Sequence, residues 1–252
     1  MHDRLILLTN DDGLWAPGLE FLARVASRFG RVVAVAPDRN RSGISSALSL
    51  HGILRLQDLG GDRYACDGTP VDCVLLGIRA LLGRTPDWVL SGLNHGLNLG
   101  EDVFYSGTVA AAFEGRLQGS RAAALSMHPE ADTARVEPWL QTFLERWESL
   151  ELPENRIWNL NFPKGEAKGF RLALQDNRTY HDVVERREDP RGKTYYWIGG
   201  NVGPTYAMTP GSDAEAALGG WVSLTPLRLD MACPESMNKA QGFVGELNGE
   251  HL

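Results

Sequence analysis

Residues that can bind a metal ion or a phosphate group are concentrated in four short polar segments. The first is Asn10-Asp11-Asp12-Gly13, which directly follows an apolar run. The others are PDRNRSG at 37–43, SGLNHGLNLG at 91–100 and Ser-Gly-Thr at 106–108. The first three each follow a predicted strand. Because the carboxyl ends of parallel strands meet at one edge of a sheet, we expect these three segments to converge.

The adjacent carboxylates Asp11 and Asp12 predict a metal site. In a regular strand their side chains would point to opposite faces, whereas a turn allows both to reach one cation. With neutral oxygens from Ser42 and Asn94, they would form the hard, oxygen-only site that Mg²⁺ or Mn²⁺ prefers. An Asp-Asp-Gly sequence is also typical of a plain turn that caps a helix. The two further polar loops favour the metal site.

The segment Ser106-Gly107-Thr108 precedes an alanine-rich stretch that predicts a helix. Two hydroxyls and the free backbone N–H groups of a helix start can hold a phosphate group. An ordinary helix cap is the alternative interpretation of this segment. The glycines of 91–100 lack the GxGxxG spacing and no Walker lysine follows them, so dinucleotide binding and P-loop chemistry are not favoured. The absence of a GxSxG motif argues against a serine hydrolase.

Apolar runs and helical periodicities alternate through the first two thirds of the chain. Predicted strands lie at 4–9, 31–36, 88–90, 122–126 and 157–162. Predicted helices lie at 17–29, 70–82, 108–117 and 136–147. A hairpin is predicted around Gly60-Gly61, and Thr69 is expected to cap the helix that begins at Pro70. This alternation predicts a doubly wound α/β core with a mostly parallel sheet over residues 1–167.

The remaining residues, 168–252, do not continue the alternation of predicted strands and helices. The segment 181–198 predicts a long hairpin with its turn at 189–192, and a last strand is predicted at 221–225. A lone hairpin is marginally stable in water, so we interpret this one as an oligomer contact. Residues 168–252 are therefore predicted to form a C-terminal oligomerisation region.

Composition narrows the class of protein. The 252 residues are 43% hydrophobic and 23% charged, which are ordinary values for a globular protein. The net charge of −7 disfavours binding to polymeric nucleic acid. Three cysteines without a CxxC motif indicate reduced thiols. Since the chain shows neither a signal-type segment nor an apolar stretch of membrane-spanning length, we expect a cytoplasmic protein without a membrane partner.

Several of these motifs together resemble the SurE (survival protein E) family, whose members are metal-dependent nucleotidases that release phosphate from nucleoside 5′- and 3′-monophosphates. The similar segments are NDDG at 10–13, APDRNRSG at 36–43, GTPVDC at 68–73 and SGLNHGLNLGEDVFYSGTVAAAFEG at 91–115. DPRGKTYYWIGG at 189–200 and GGWVSLTPLRLD at 219–230 extend the resemblance over nearly the full chain. The motif at 91–115 is highly specific, whereas NDDG alone is not.

The resemblance implies one divalent metal ion, Mg²⁺ or Mn²⁺, in each subunit. The implied metal ligands are Asp11, Asp12, Ser42 and Asn94. The implied phosphate contacts are Asn98, Ser106 and Thr108, with the backbone of Gly107 close by.

The resemblance also implies a Rossmann-like, three-layer core and a projecting C-terminal hairpin that is swapped between protomers. It thus implies a homodimer that can pair again into a homotetramer. Two departures stand out. Gly211-Ser212-Asp213 stands where Gly-Thr-Asp is expected, which is a mild change, and the linker 199–210 matches no segment of the family.

Two mechanisms remain open for phosphomonoester hydrolysis. A metal-activated water can attack, with Asp11 or Asp12 as general base, or an aspartate can form a covalent phosphoenzyme. His95 is either the acid for the leaving group or a solvent-facing loop residue. Arg39 either contacts phosphate or is an exposed side chain of its loop. Arg178 and His181 are weaker candidates for a catalytic role.

Other functions fit parts of the pattern. The chain could be a non-catalytic nucleotide or phosphate sensor, a broad-specificity acid phosphatase or exopolyphosphatase, or a structural oligomer. Without a metal, the adjacent carboxylates Asp11 and Asp12 would repel the ligand that a sensor must hold, which favours the enzyme. A structural oligomer leaves the polar loops unexplained.

Overall fold

A nine-stranded sheet with helices on both faces forms the centre of the protein. The computed structural model describes residues 4–149, 153, 155–179, 184–198 and 205–247. Within these residues the strands are β1 (Leu5–Thr9), β2 (Arg31–Pro37), β3 (Leu56–Asp58), β4 (Arg63–Cys66), β5 (Trp88–His95), β6 (Arg121–Met127), β7 (Arg156–Phe162), β8 (Phe170–Leu172), β9 (Arg178–Thr179), β10 (Val184–Glu188), β11 (Thr194–Ile198), β12 (Thr205–Tyr206) and β13 (Val222–Arg228).

The helices connect the strands of the sheet and extend the C-terminal region. They are α1 (Pro17–Ala26), α2 (Pro70–Leu76), α3 (Gly107–Leu117), α4 (Thr133–Arg146), α5 (Asp213–Leu218) and α6 (Pro234–Leu247). A wider helical turn, Gly77–Leu82, continues α2, and a 3₁₀ segment, Gly100–Phe104, precedes α3. Among the described residues, no helix is long and apolar enough to cross a membrane.

The strand order of the sheet is β3-β4-β2-β1-β5-β6-β7-β13-β8. The six strands from β4 to β7 are parallel, whereas β3 and β13 run antiparallel to their neighbours β4 and β7. β1 lies between β2 and β5, so the chain turns to opposite sides of the sheet after these strands. In doubly wound folds, ligands bind at the carboxyl ends of the strands at this switch point. The predicted α/β fold with its mostly parallel sheet is confirmed.

Alternate residues of the central strands pack into two separate apolar layers, as expected for a parallel sheet covered on both faces. Ile6 and Leu8 pack with α1 and α4. Leu5 and Leu7 pack on the other face with α2 and α3. These two layers and the sheet between them make the three-layer core that the resemblance implied.

Helix α3 lies unusually close to the sheet because its side chains are small. A Cβ atom at Gly115 would lie 2.6 Å from Cβ of Val89 on β5. Ala111 and Ala112 are fully buried in the same layer. This close packing fixes the start of α3 beside the end of β1, where the predicted metal and phosphate segments meet.

The capping of α2 follows the prediction. The Thr69 hydroxyl accepts a hydrogen bond from the Asp72 N–H at 3.1 Å, and the Asp72 carboxylate accepts one from the Thr69 N–H at 2.9 Å. Such a reciprocal cap satisfies two otherwise orphaned donors of the helix start. The predicted hairpin around Gly60-Gly61 is also present, as the antiparallel pair β3–β4.

Some predicted boundaries were wrong. The strand predicted at 88–90 continues to His95, because Asn94 and His95 pair with β6 after a register shift. Helix α1 ends at Ala26, before the predicted end at 29, and the chain leaves it through hydrogen-bonded turns. Helices α5 and α6 and the short strands β8, β9 and β12 were not predicted.

The C-terminal hairpin is formed by β10 and β11, with Gly192 N–H donating to Asp189 O at the predicted turn. Its aromatic residues Tyr196 and Trp197 are exposed. The predicted hairpin residues 181–183 and the linker residues 199–204 lie outside the described part of the chain. Strands β8 and β13 belong to the main sheet although they follow position 168. The division into regions 1–167 and 168–252 stays a prediction.

Candidate functional site

A cavity of about 560 Å³ opens at the carboxyl ends of β1 and β5, at the switch point of the sheet. The sequence had singled out eight of the residues that line it. These are Asp11, Asp12, Ser42, Asn94, His95, Asn98, Ser106 and the weaker candidate Arg178. The three polar loops therefore converge on one edge of the sheet, as their positions after parallel strands predicted.

The Asp11 carboxylate is buried against the first turn of α3. Its Oδ1 accepts a 2.5 Å hydrogen bond from the Thr108 hydroxyl, and its Oδ2 accepts one of 3.2 Å from the Thr108 N–H. A side chain at Gly107 would not fit, because its Cβ would lie 2.9 Å from Cβ of Asp11. Gly107 and Thr108 thus fix the position of one carboxylate beside the cavity.

Burial raises the pKa of Asp11 above its ordinary value, and the nearby Asp12 carboxylate raises it further. The hydrogen bond from the Thr108 hydroxyl acts in the opposite direction and favours the ionised form. The balance leaves a carboxylate whose negative charge is incompletely compensated. A bound cation would compensate it, which is the electrostatic signature expected of a metal ligand.

The end of β1 is shaped by a tight turn that presents Asp12. Asn10 is buried, and its side chain bonds to both the N–H and the carbonyl of Gly13. Asp12 is half-buried, and its Oδ2 accepts a 3.3 Å hydrogen bond from the His95 N–H at the end of β5. Both carboxylates consequently lie where β1 and β5 end, and Asp12 is the more accessible of the two.

Two neutral oxygens complete a plausible ligand set. The backbone carbonyl of Asp11 accepts a 2.7 Å hydrogen bond from the Arg41 N–H, which anchors the loop that carries Ser42. The amide nitrogen of Asn94 donates to Gly96 O at 2.8 Å, so its Oδ1 is the atom available to a cation. Ser42 and Asn94 line the same cavity as Asp11 and Asp12.

This donor set suits a hard divalent cation. Two carboxylates with one hydroxyl and one amide oxygen are the ligands that Mg²⁺ and Mn²⁺ prefer, usually with water in the remaining positions. Within the described ranges, no cluster of three or more His, Cys, Asp or Glu side chains could hold a metal ion. A soft or zinc-type site is therefore not favoured in this part of the chain.

The predicted phosphate contacts fall into two groups. Asn98 and Ser106 line the cavity. Ser106 caps α3 by accepting from the Val109 N–H at 3.1 Å, which leaves its hydroxyl proton free to donate to an anion. Thr108 is fully buried and does not line the cavity, and its hydroxyl donates its hydrogen bond to Asp11. Its role as a phosphate contact stays a prediction, and the bond that the structure shows is the one to the Asp11 carboxylate.

The two less certain candidates have different positions. His95 lines the cavity, and its Nε2 donates to Pro129 O at 2.9 Å, since a carbonyl oxygen can only accept. Arg39 is exposed, pairs with its neighbour Asp38 and does not line the cavity. The position of Arg39 therefore favours a role in its own loop. His181 lies outside the described residues.

Other residues that line the cavity were weak candidates in the sequence or were not predicted at all. Arg178 forms an ion pair with Asp102, and the Tyr206 hydroxyl donates to the same carboxylate at 2.7 Å. His128 follows β6 and accepts a hydrogen bond from the Glu130 N–H through Nδ1. Arg178 was a weak candidate because it lies near the predicted hairpin, and Asp102 belongs to the motif at 91–115. Tyr206 and His128 were not predicted.

Comparison with known proteins places these residues in one family. The family model described as Survival protein SurE matches residues 6–182. The chain is 46% identical to the 5′-nucleotidase SurE of Syntrophotalea carbinolica, over 90% of this chain and 92% of that protein. It is 47% identical to the 5′-nucleotidase SurE of Anaeromyxobacter sp. strain Fw109-5, over 89% of this chain and 90% of that protein.

The fold has a counterpart among solved structures. The crystal structure of the SurE protein from Aquifex aeolicus superimposes with a TM-score of 0.83 at 37% sequence identity. The match covers 95% of this chain and 99% of that one. At 37% identity, the two proteins share sequence similarity over most of their length as well as the fold.

Replacement of Asp11 by asparagine tests the electrostatics of the site. The raised pKa of Asp11 means that stability is gained by protonation and lost as the pH rises through the folded-state pKa. At neutral pH without metal, the ionised carboxylate destabilises the fold. Since an asparagine amide can still bond to the hydroxyl and the N–H of Thr108, Asp11→Asn should raise the melting temperature of the metal-free protein.

The same variant should lose the response to metal. A cation at about 100 times its Kd stabilises the wild type by about 2.7 kcal/mol, equivalent to about 5–10 °C in melting temperature for a domain of this size. Asp11→Asn should show little of this increase with Mg²⁺ or Mn²⁺ in a thermal scan. The control Asp58→Asn, on the exposed edge strand β3, should respond like the wild type. A full metal response in Asp11→Asn would contradict the assignment of this carboxylate.

Proposed function

The chain belongs to the SurE family, and we infer from this that it is a 5′-nucleotidase that depends on a divalent metal ion and takes nucleoside monophosphates as substrates. The structural observation that supports this function is the position of Asp11 and Asp12 in one cavity, next to the start of α3. A phosphomonoesterase needs positive charge and hydrogen-bond donors at one point. A cation held by the two carboxylates would supply the charge, and the start of α3 would supply the donors.

We propose that Asp11, Asp12, Ser42 and Asn94 hold one Mg²⁺ or Mn²⁺ ion per subunit. The support is the oxygen-only chemistry of the four side chains and their common cavity. When bound, the cation neutralises charge on the phosphoryl oxygens and lowers the pKa of a water. The buried Asp11 is held by two hydrogen bonds from Thr108, so it would orient the ion with little rearrangement.

The phosphoryl group is proposed to lie between the two carboxylates and the start of α3. Here the Ser106 hydroxyl can donate to its oxygens, as can the second hydrogen of the Asn98 amide, whose first hydrogen is bonded to the Ser126 hydroxyl. The Thr108 and Val109 N–H groups are already committed to Asp11 and Ser106, so Gly107 offers the N–H of this turn that can face an anion. The positive end of the helix adds to the attraction.

Asp12 is the better placed of the two carboxylates to take a proton from the attacking water. Both oxygens of Asp11 already accept hydrogen bonds from Thr108. Asp12 is half-buried and borders the cavity. The same accessibility would suit Asp12 as a nucleophile, so the covalent alternative is tested by acid-quench trapping of labelled phosphate on the protein.

The activity is tested by phosphate release from a panel of substrates. We expect release from nucleoside 5′-monophosphates, and more weakly from 3′-monophosphates, with Mg²⁺ or Mn²⁺ and none with EDTA. Asp12→Asn should lower kcat by at least about 100-fold, in the range typical of lost acid–base catalysis. Polyphosphate and a generic phosphate ester serve as comparison substrates.

Asp58→Asn is again the matched control and should keep wild-type kcat and KM. Faster turnover of polyphosphate than of every nucleotide would favour an exopolyphosphatase. Binding of nucleotides without any release of phosphate would favour a sensor and would overturn the enzymatic function.

We further propose that the protein is a cytoplasmic homodimer, which can pair into a tetramer, and that its C-terminal hairpin is exchanged between protomers. The support is the exposed hairpin of β10 and β11, whose residues Tyr196, Trp197 and Ile198 are largely accessible to solvent. Exposed aromatic and apolar residues on an isolated hairpin are typical of a contact surface.

Light scattering coupled to gel filtration tests this assembly. We expect a mass of about twice or four times the 27.7 kDa of the chain, and Trp197→Lys should lower it because a buried lysine is costly in a subunit contact. The control Leu50→Lys changes an exposed apolar residue outside the hairpin. A monomeric wild type would rule out the proposed dimer.

A further inference from the structure

Two fully buried asparagines of β7 converge on a single peptide group of the cavity. The Asn159 and Asn161 amide nitrogens both donate to the backbone carbonyl of Asn98, at 2.9 and 3.1 Å. The Asn161 Oδ1 accepts a 2.8 Å hydrogen bond from the Asn98 N–H. Asn98 is thus held through both of its backbone polar groups.

The position of these asparagines is unusual for a strand covered on both faces, which normally carries apolar residues throughout. On one face of β7, Trp158 and Leu160 follow the apolar pattern and pack into the core. On the opposite face, Asn159 and Asn161 replace the apolar residues that would be expected beside Ile157. Buried amides are unfavourable unless they are hydrogen-bonded. Here three of those bonds go to the backbone of Asn98, whereas Asn159 Oδ1 accepts no hydrogen bond within the described residues.

The segment that begins at Asn98 is fixed at its other end as well. The buried carboxylate of Asp213 accepts a 3.0 Å hydrogen bond from the Gly100 N–H, and Gln175 donates to Gly100 O at 2.7 Å. Leu99, between the two anchored residues, is fully buried. The backbone at 98–100 therefore has little freedom, and a 2.7 Å hydrogen bond from the Asn98 amide nitrogen to the Ser126 hydroxyl holds the side chain in one orientation.

We propose that Asn159 and Asn161 are positioning residues for phosphate binding, which act by fixing Asn98 in the orientation that contacts the phosphoryl group. This inference rests on the proposed function, in which Asn98 is a phosphate contact. A donor that is fixed before the ligand arrives loses less entropy on binding than a mobile one. The asparagines should therefore strengthen phosphate binding without touching the substrate.

The first test is Asn161→Leu, which keeps the approximate size of the side chain and removes its donor and its acceptor. We expect the Kd of inorganic phosphate, measured by calorimetry with Mn²⁺ present, and the KM for a nucleoside 5′-monophosphate to rise by about tenfold, equivalent to about 1.4 kcal/mol. We expect kcat to change less than KM does. Asn159→Leu, which removes one of the three hydrogen bonds, is a milder variant if Asn161→Leu fails to fold.

The matched control is Leu160→Val, between the two asparagines. Leu160 packs on the opposite face of the sheet, so this variant loosens the same strand without touching Asn98. It should lower the melting temperature and leave the phosphate Kd within about twofold, below the effect of one hydrogen bond. An equal loss of phosphate affinity in Leu160→Val would show that general destabilisation explains the result and would overturn the inference.

A double-mutant cycle with Asn98→Ala gives the sharper readout. If Asn161 acts through the Asn98 side chain, Asn161→Leu should have little further effect on the phosphate Kd in the Asn98→Ala background. Independent, multiplicative effects would overturn the positioning role. An unchanged phosphate Kd in Asn98→Ala alone would also overturn it, while metal-dependent release of phosphate from nucleotides by the same variant would leave the nucleotidase function standing.

Discussion

The structure of the site depends on one buried carboxylate. Asp11 lies at the end of the central strand β1, where burial and the adjacent Asp12 raise its pKa. Two hydrogen bonds from Thr108 hold its carboxylate in place. This contact requires α3 to begin directly against β1, which in turn requires glycine at position 107 and small residues along α3. The remaining negative charge is what makes the cavity suitable for a cation and, through that cation, for a phosphate group.

The same constraint explains why distant parts of the chain meet at the cavity. The switch point of the sheet brings together the loops after β1, β2 and β5, which supply the carboxylates and the neutral oxygens. The segment after β5 is anchored from two sides, by Asn159 and Asn161 of β7 and by Asp213 of α5. The C-terminal residues Arg178 and Tyr206 complete the wall through Asp102. The cavity is therefore built by segments from distant parts of the chain.

Much of this arrangement could be predicted from sequence, because it depends on local patterns. The polar segment after the apolar run 4–9 placed Asp11 and Asp12 at a strand end, and the alternation of elements predicted the parallel sheet that unites the loops. The hydrogen bond from Thr108 to Asp11 could not be predicted from sequence. A threonine at a helix start has the same sequence pattern whether its hydroxyl contacts a ligand or a carboxylate. Asn159 and Asn161 read simply as strand residues, because their partner lies in a distant segment. Tyr206 was not predicted for the same reason, and Arg178 was only a weak candidate.

The affinity for Mn²⁺ of two variants at Thr108 tests most directly whether this contact organises the metal site. Thr108→Val keeps the shape and removes the hydroxyl, whereas Thr108→Ser keeps the hydroxyl. If the hydrogen bond to Asp11 orients the ligand, the Mn²⁺ Kd measured by paramagnetic resonance should rise by about tenfold in Thr108→Val, the effect of one lost bond to a charged group. Thr108→Ser should stay close to the wild type. Equal Mn²⁺ affinity in the valine variant and the wild type would contradict the account.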